Sequence, residues 1–221
     1  MGHRVLQARG ISDRQTLSAT KSPLAAAYHY ASVELLILRH LRLVGFKLQT
    51  ASVCDLGSGS GHWIDFYLSL GASRCVGIDV SQKSVSFLSE RHASDDRVKV
   101  MPGRLHEVMR ASNDQFELVN AIGVMFHLVD DEEWEETIRQ VGRILRPGGL
   151  FVVGGHFGWL DNLNVDYDPQ NSATKRLRSA SHWRRSLWQA GFGRVRIYRN
   201  SAYLFIDEWI PENNILIAAR A

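Results

Sequence analysis

The chain has very little cysteine: two residues, Cys54 and Cys75, in 221. Two thiols supply no disulfide framework, which favours a reducing compartment, and each stands in or just before an apolar run where a small buried hydrophobe is expected. No His/Cys cluster has metal-ligand spacing, so no metal is expected. No apolar run reaches the roughly 20 residues of a membrane span. The opening MGHRVLQARG lacks the apolar core of a secretory signal, and Leu6 stands where a myristoylation motif requires Ser or Thr. These absences lead to the expectation of a cytoplasmic protein without a membrane partner. Internal repeats and low-complexity tracts are missing as well. The net charge of +3 and pI near 9.0 are too mild to imply nucleic acid by themselves.

What is present is an ordinary enzyme-like balance of 45% hydrophobic and 22% charged residues. From residue 52 onward, β-rich runs alternate with helical patterns. Strands are expected at Ser52–Leu56, Arg74–Asp79, Val98–Met101, Phe116–Ile122, Leu150–Gly154, Arg194–Arg199 and Asn214–Ala219. Helices are expected at His62–Leu70, Ser81–His92, Asp130–Leu145 and Ser181–Ala190, with a short segment ending near Ala111. Such alternation predicts a mostly parallel α/β sheet with helices on both faces. The last two strands lack a helix between them, so the final one is expected to enter antiparallel. In the Asp130–Leu145 helix, Asp130 and Glu133 form a capping pair, while Trp134, Ile138, Val141 and Leu145 recur at helical spacing.

Residues 1–50 stand outside this alternation as an N-terminal helical cap, and 51–221 form the α/β domain. Pro23 through Val44 reads as one helix with Leu24, Ala27, Tyr28, Ala31, Leu35, Leu38 and Leu41 on or near one face. The stretch 155–180 is rich in Asn, Asp and Gly and holds three aromatics, so it reads as a long lid or substrate loop.

Three glycines follow the first strand in Asp55-Leu56-Gly57-Ser58-Gly59-Ser60-Gly61. Glycines so close together after a strand mark a turn where backbone approaches a ligand. A dinucleotide fingerprint needs glycines at positions one, three and six, but counting from Gly57 puts His62 at six. A nicotinamide dehydrogenase is therefore disfavoured; a catalytically silent cofactor-binding module stays open. Asp55, two residues before the first glycine, would repel a pyrophosphate and attract an ammonium group.

Across roughly residues 50 to 155 the sequence resembles the class I, Rossmann-like S-adenosylmethionine-dependent methyltransferases. The resemblance rests on D-L-G-S-G-S-G at 55–61, V-G-I-D-V-S at 76–81, F-E-L-V-N-A-I-G-V-M-F-H-L at 116–128 and L-R-P-G-G-L-F-V-V at 145–153. It implies a seven-stranded sheet and S-adenosylmethionine as cofactor. It also implies that Gly57, Ser58, Gly59 and Gly61 cradle the cofactor, Asp55 receives its ammonium, Asp79 accepts the ribose hydroxyls and Val80 flanks adenine. The family's usual acidic residue after strand three is replaced by Met101-Pro102-Gly103-Arg104-Leu105, which leaves adenine to backbone groups, Arg104 and Leu105. The fourth strand ends in Asn120 and Ile122-Gly123 where relatives carry other polar residues, and Ile122 is counted with the cofactor site.

For the acceptor, His127 is the one general base nominated; a bracing role is its alternative. No Asn/Asp-Pro-Pro-Tyr motif of amino-methylating DNA enzymes occurs, and neither cysteine lies in a loop near the pocket. The segment 175–199 carries Lys175, Arg176, Arg178, Arg184, Arg185, Arg194, Arg196 and Arg199 and no acidic residue. One reading makes it a site for an anionic small molecule, with Arg176 and Arg178 as a bidentate clamp and Tyr28 and Trp159 completing the substrate pocket. A second makes it an RNA- or protein-facing patch with Trp183 and Trp188 as stacking groups, and a third a solvated helix face with both tryptophans in the core. The small molecule is preferred because no RNA-binding appendage is visible. Oligomeric state is not legible.

Overall fold

The run Val53-Cys54-Asp55-Leu56 is buried throughout, as a strand covered on both faces must be. It lies at the centre of a computed structural model that describes residues 22–155, 157–166, 174–199, 203–205, 208–210 and 214–221. In chain order the elements are α1 (Pro23–Leu43), β1 (Ser52–Leu56), α2 (His62–Ser69), β2 (Arg74–Asp79), α3 (Gln82–Arg91), β3 (Val98–Pro102) and α4 (Leu105–Ala111). There follow β4 (Phe116–Ile122), a 3₁₀ turn (Met125–His127), α5 (Asp131–Ile144), β5 (Leu145–Gly155), β6 (Leu163–Asp166) and β7 (Thr174–Leu177). The chain closes with α6 (Ala180–Gln189), β8 (Phe192–Tyr198), β9 (Tyr203–Phe205), β10 (Glu208–Ile210) and β11 (Asn214–Arg220).

Seven strands form one sheet in the order β3-β2-β1-β4-β5-β11-β8. All neighbours are parallel except at β11, which runs antiparallel to both β5 and β8. The expected seven-stranded sheet with an antiparallel last strand is therefore present. Strand order reverses between β1 and β4, the switch point whose carboxyl edge is where open α/β sheets bind ligands.

Side chains alternate across the sheet. Cys54, Leu56, Val119, Phe151 and Val153 face a core shared with Met109, Trp134, Ile138 and Trp183 of the α4–α5–α6 layer. Val53, Leu118, Leu150 and Val152 face Val33, Ile37, Ile64 and Tyr67 of the α1–α2 layer. Both cysteines are buried and free, as expected. Helix α5 is capped as its sequence predicts, with the Glu133 N–H donating to Asp130 Oδ1 over 2.8 Å.

Two expectations need correction. In α1 the buried stripe is Ala25, Ala26, Tyr30, Val33, Ile37 and Leu41, whereas Leu24, Tyr28, Leu35 and Leu38 are exposed. The helix carries two apolar stripes of similar spacing, and spacing alone does not say which one meets the sheet; only Leu41 of the expected face is buried. The stretch 155–180 is not one loop: Gly155 ends β5, β6 pairs antiparallel with β7, and α6 begins at Ala180. Four-residue strands containing Asn, Asp and Lys give too weak an alternation to stand out from loop composition. No described helix is long and apolar enough to cross a membrane.

Candidate active site

The glycine turn leaves the carboxyl end of β1. Gly57, Gly59 and Gly61 have φ of 70°, 52° and 87°, a region that favours glycine. Space excludes side chains too: a Cβ on Gly57 would stand 2.6 Å from Val124 Cγ2, and one on Gly61 would strike Leu88. The turn is locked to β2, because the Gly57 N–H donates to the Ile78 carbonyl over 2.8 Å. Ser58 is buried, its hydroxyl donating to the Asp55 carbonyl over 2.9 Å. It fits only because Gly77 lacks a Cβ, which would lie 2.6 Å from Ser58 Oγ. Ser58 thus shapes the turn from inside.

Parallel pairing sets Asp55 of β1 opposite Asn120 of β4. The Asn120 amide donates to Asp55 Oδ1 over 2.7 Å, and the Tyr67 hydroxyl of α2 donates to Asn120 Oδ1 over 3.0 Å. Asp55 Oδ2 is buried and accepts no hydrogen bond. Burial raises the Asp55 pKa to about 7, against the lowering effect of the Asn120 bond and with the Asp79 carboxylate adding to the rise. An orphaned carboxylate oxygen beside a glycine turn fits the ammonium of S-adenosylmethionine.

Asp79, at the carboxyl end of β2, accepts the Gly59 N–H at Oδ2 and the Ser81 N–H at Oδ1, each over 2.8 Å. Each oxygen keeps acceptor capacity for a ribose hydroxyl. Ser81 itself caps α3. Val80 is 76% exposed at the rim, available to an adenine face. Arg104 lies across this end, paired with Glu133 of α5 over 2.7 Å. Leu105 is packed in the core beneath, and Ile122 lies against Gly154, whose Cβ would meet it at 2.6 Å.

Beyond β4 the 3₁₀ turn exposes His127 next to Phe126, their ring centroids 4.5 Å apart. Lys175 of β7 stands over the Phe126 ring at 4.7 Å, so the β6–β7 hairpin rests on this turn. Arg176 and Arg178, expected to clamp an anionic acceptor, instead converge on an acid from another element. Asp131, at the start of α5, accepts from Arg176 Nε over 2.9 Å and from Arg178 Nη2 over 2.7 Å. Arg178 is only 2% exposed, lies 4.3 Å from the Trp134 ring and donates to the Leu128 carbonyl over 3.0 Å. Burial pushes Asp131 up, but its bonds to the two guanidinium groups outweigh that and hold it below its ordinary value. Trp159 is 95% exposed, and Tyr28 projects from the outward side of α1.

Sequence reasoning passed over several residues that the fold brings to the site. Tyr30 of α1 stacks on His62 at 3.8 Å between centroids, and Glu34 takes the same ring by a 2.8 Å contact, fastening α1 beside the glycine turn. A lone polar residue inside each of two apolar strands, Asp55 and Asn120, was the available signal for their pairing. Among the described residues, no group of three or more His, Cys, Asp or Glu side chains could hold a metal.

Residues 53–149 match a family described as a methyltransferase domain. No curated protein sequence matches the chain. Solved structures with the same fold include an S-adenosylmethionine-dependent methyltransferase from Clostridium acetobutylicum, at 12% identity and TM-score 0.68 over 87% of this chain and 92% of that one. The N-methyltransferase NodS from Bradyrhizobium japonicum, solved with S-adenosyl-L-homocysteine, is similar at 15% identity and TM-score 0.65, covering 94% and 95% of the two chains. A 1,6-didemethyltoxoflavin-N1-methyltransferase from Burkholderia thailandensis is similar at 17% identity and TM-score 0.63, covering 91% and 93%. The likeness in structure establishes the class I methyltransferase fold, and the family match falls on the cradle just described. Residues 53–149 thus match a methyltransferase domain, and they lie in a chain with the fold of S-adenosylmethionine-dependent methyltransferases.

Proposed function

We propose that the enzyme methylates an oxygen or nitrogen of a small anionic molecule held at the carboxyl edge of the sheet, beside the Met125–His127 turn. The observation that carries this reading is how the basic segment 175–199 is dispersed. Arg176 and Arg178 are taken by Asp131, and Arg185 by Asp161 over 3.0 Å. Arg194 and Arg196 border a groove with His40 and Gly148, at the opposite end of the sheet from the glycine turn. Trp183 is core, and Trp188 is exposed on α6. Such a scatter supplies no continuous surface for a nucleic acid backbone. The N1-methylation of a small heterocycle by one structural neighbour supports the same reading.

Bound S-adenosylmethionine supplies an electrophilic methyl on a sulfonium, and displacement there is governed by alignment. Asp55 and Asp79 hold the two ends of the cofactor, with Val80, Arg104, Leu105 and Ile122 around it. His127, exposed at the carboxyl edge, accepts the acceptor's proton if that acceptor is a hydroxyl. Trp159 and Tyr28 belong to the outer wall. Two reduced thiols support a cytoplasmic setting. The test is a metabolite-extract screen with methyl-labelled cofactor, run beside binding of S-adenosylhomocysteine to the wild type and Asp79→Ala. Label in a small molecule, with product affinity reduced by about 1.5–3 kcal/mol in the variant, supports the reading. Label appearing only in RNA or protein would replace it.

A further inference from the structure

Of the basic residues in 175–199, Arg184 and Arg199 border a groove at the carboxyl edge of the sheet. The groove has a volume of about 440 Å³ and is lined by Phe157, Trp159, Arg184, Ile197, Arg199 and Asn214, with Gly158 and Ala180 between them. This is the size of a small-molecule site. Phe157 also lines a small void with Phe126 and Gly155, so the groove adjoins the turn that carries His127. Among the described residues, no carboxylate pairs with Arg184 or Arg199, whereas Arg176, Arg178 and Arg185 are met by Asp131 or Asp161. Its apolar walls are Phe157 and Ile197, and the Trp159 indole stands almost fully in solvent.

From this arrangement we infer that the acceptor is a planar aromatic or heteroaromatic acid, its ring on Trp159 and Phe157 and its carboxylate between Arg184 and Arg199. Two guanidinium forks recognise a carboxylate bidentately, and an indole face suits a flat ring. Asp131 already neutralises Arg176 and Arg178, so anion selection passes from the pair nearest the hairpin to this one. The inference rests on the small-acceptor reading and narrows its substrate class.

The test compares matched pairs of hydroxylated aromatic carboxylates and their carboxamides, of one to three rings, on protein saturated with S-adenosylhomocysteine. Binding at millimolar concentration is followed by saturation-transfer NMR. Carboxylates are expected to bind about tenfold more tightly than their amides, the weaker end of a charge-assisted contact. In Arg184→Gln/Arg199→Gln that preference disappears while S-adenosylhomocysteine affinity and melting stay at wild-type values. Trp159→Ala weakens both members of every pair equally. Equal binding of acid and amide to the wild type, or a preference that survives the double substitution, overturns the inference. Failure of S-adenosylhomocysteine to bind would count against the methyltransferase reading instead, and the same pairs on unloaded protein would still decide the groove.

Discussion

Asn120 Nδ2 donates to Asp55 Oδ1 over 2.7 Å and leaves Oδ2, buried on the same carboxyl group, without a partner. The pair lies side by side on β1 and β4, with Asp55 two residues before Gly57, and the open oxygen is the one proposed to receive the cofactor's ammonium. Tyr67 fixes the Asn120 amide from behind and so sets which of its atoms faces Asp55.

Cofactor binding should therefore release a proton. Asp55 titrates near 7 when folded and near 3.8 as a free side chain, and an ammonium beside it returns it to the carboxylate. Between those two values, uptake of S-adenosylhomocysteine is expected to release up to one proton and to strengthen as pH rises. Calorimetry in buffers of different ionisation enthalpy measures the release. The same shift makes the empty protein lose stability as pH rises from about 4 through about 7, because its folded form holds the proton more tightly. Asp55→Asn should remove that loss, melt higher than wild type at pH 8, and bind the product about 10-fold or more weakly. A variant with unchanged affinity would separate Asp55 from the cofactor.

Gly57 is confined both by its φ of 70° and by Val124, which a Cβ would approach to 2.6 Å. Gly57→Ala is expected to lower stability by about 1–3 kcal/mol and to weaken product binding. Adding Val124→Ala should restore only the steric share, leaving the backbone share. Full recovery in the double variant would show that φ strain contributes nothing there. Melting and calorimetry on the single and double variants supply the numbers.

Much of this site was legible because its signals are local. Three glycines and the acid before them fall within residues 55–61, and Asp79 closes the very next strand, so a single β-α-β unit brings them together. The Asp55–Asn120 bond is a different kind of fact, since 65 residues separate the partners and only sheet register brings them together. Arg176 and Arg178 show the same limit. Their own segment has no acid, so they read as free anion ligands, yet Asp131 reaches them from 45 and 47 residues away. The face of α1 was misjudged for yet another reason: Leu35 and Ile37 are equally apolar, and the choice between them belongs to the sheet surface they meet.

The Asp131 pairing has a measurable consequence for the hairpin. Asp131→Asn leaves the buried Arg178 guanidinium without its counter-charge, which should lower stability by about 3 kcal/mol. Arg178→Met in the same chain removes the unpaired charge and should recover most of the loss. Equilibrium denaturation of the wild type and the two variants checks this. No recovery in the double variant would mean that Arg178 acts chiefly through the Leu128 carbonyl and the Trp134 ring.

His127 offers a cleaner separation of chemistry from stability than a buried histidine would. It is exposed on a three-residue turn, and its backbone N–H donates to the Val124 carbonyl over 2.9 Å, a bond that any side chain at this position would keep. His127→Asn should therefore melt within about 0.5 kcal/mol of wild type, as exposed substitutions usually do. If the acceptor is a hydroxyl and His127 takes its proton, single-turnover methyl transfer should slow by about 10²–10⁴-fold. The limb of the pH profile that reports this base should vanish with it. Cofactor affinity should stay unchanged, because His127 follows β4 on the Met125–His127 turn and is assigned to the acceptor, not to the cofactor. A normal rate with an unaltered pH profile would remove His127 from the chemistry and leave the displacement to alignment of acceptor and methyl alone.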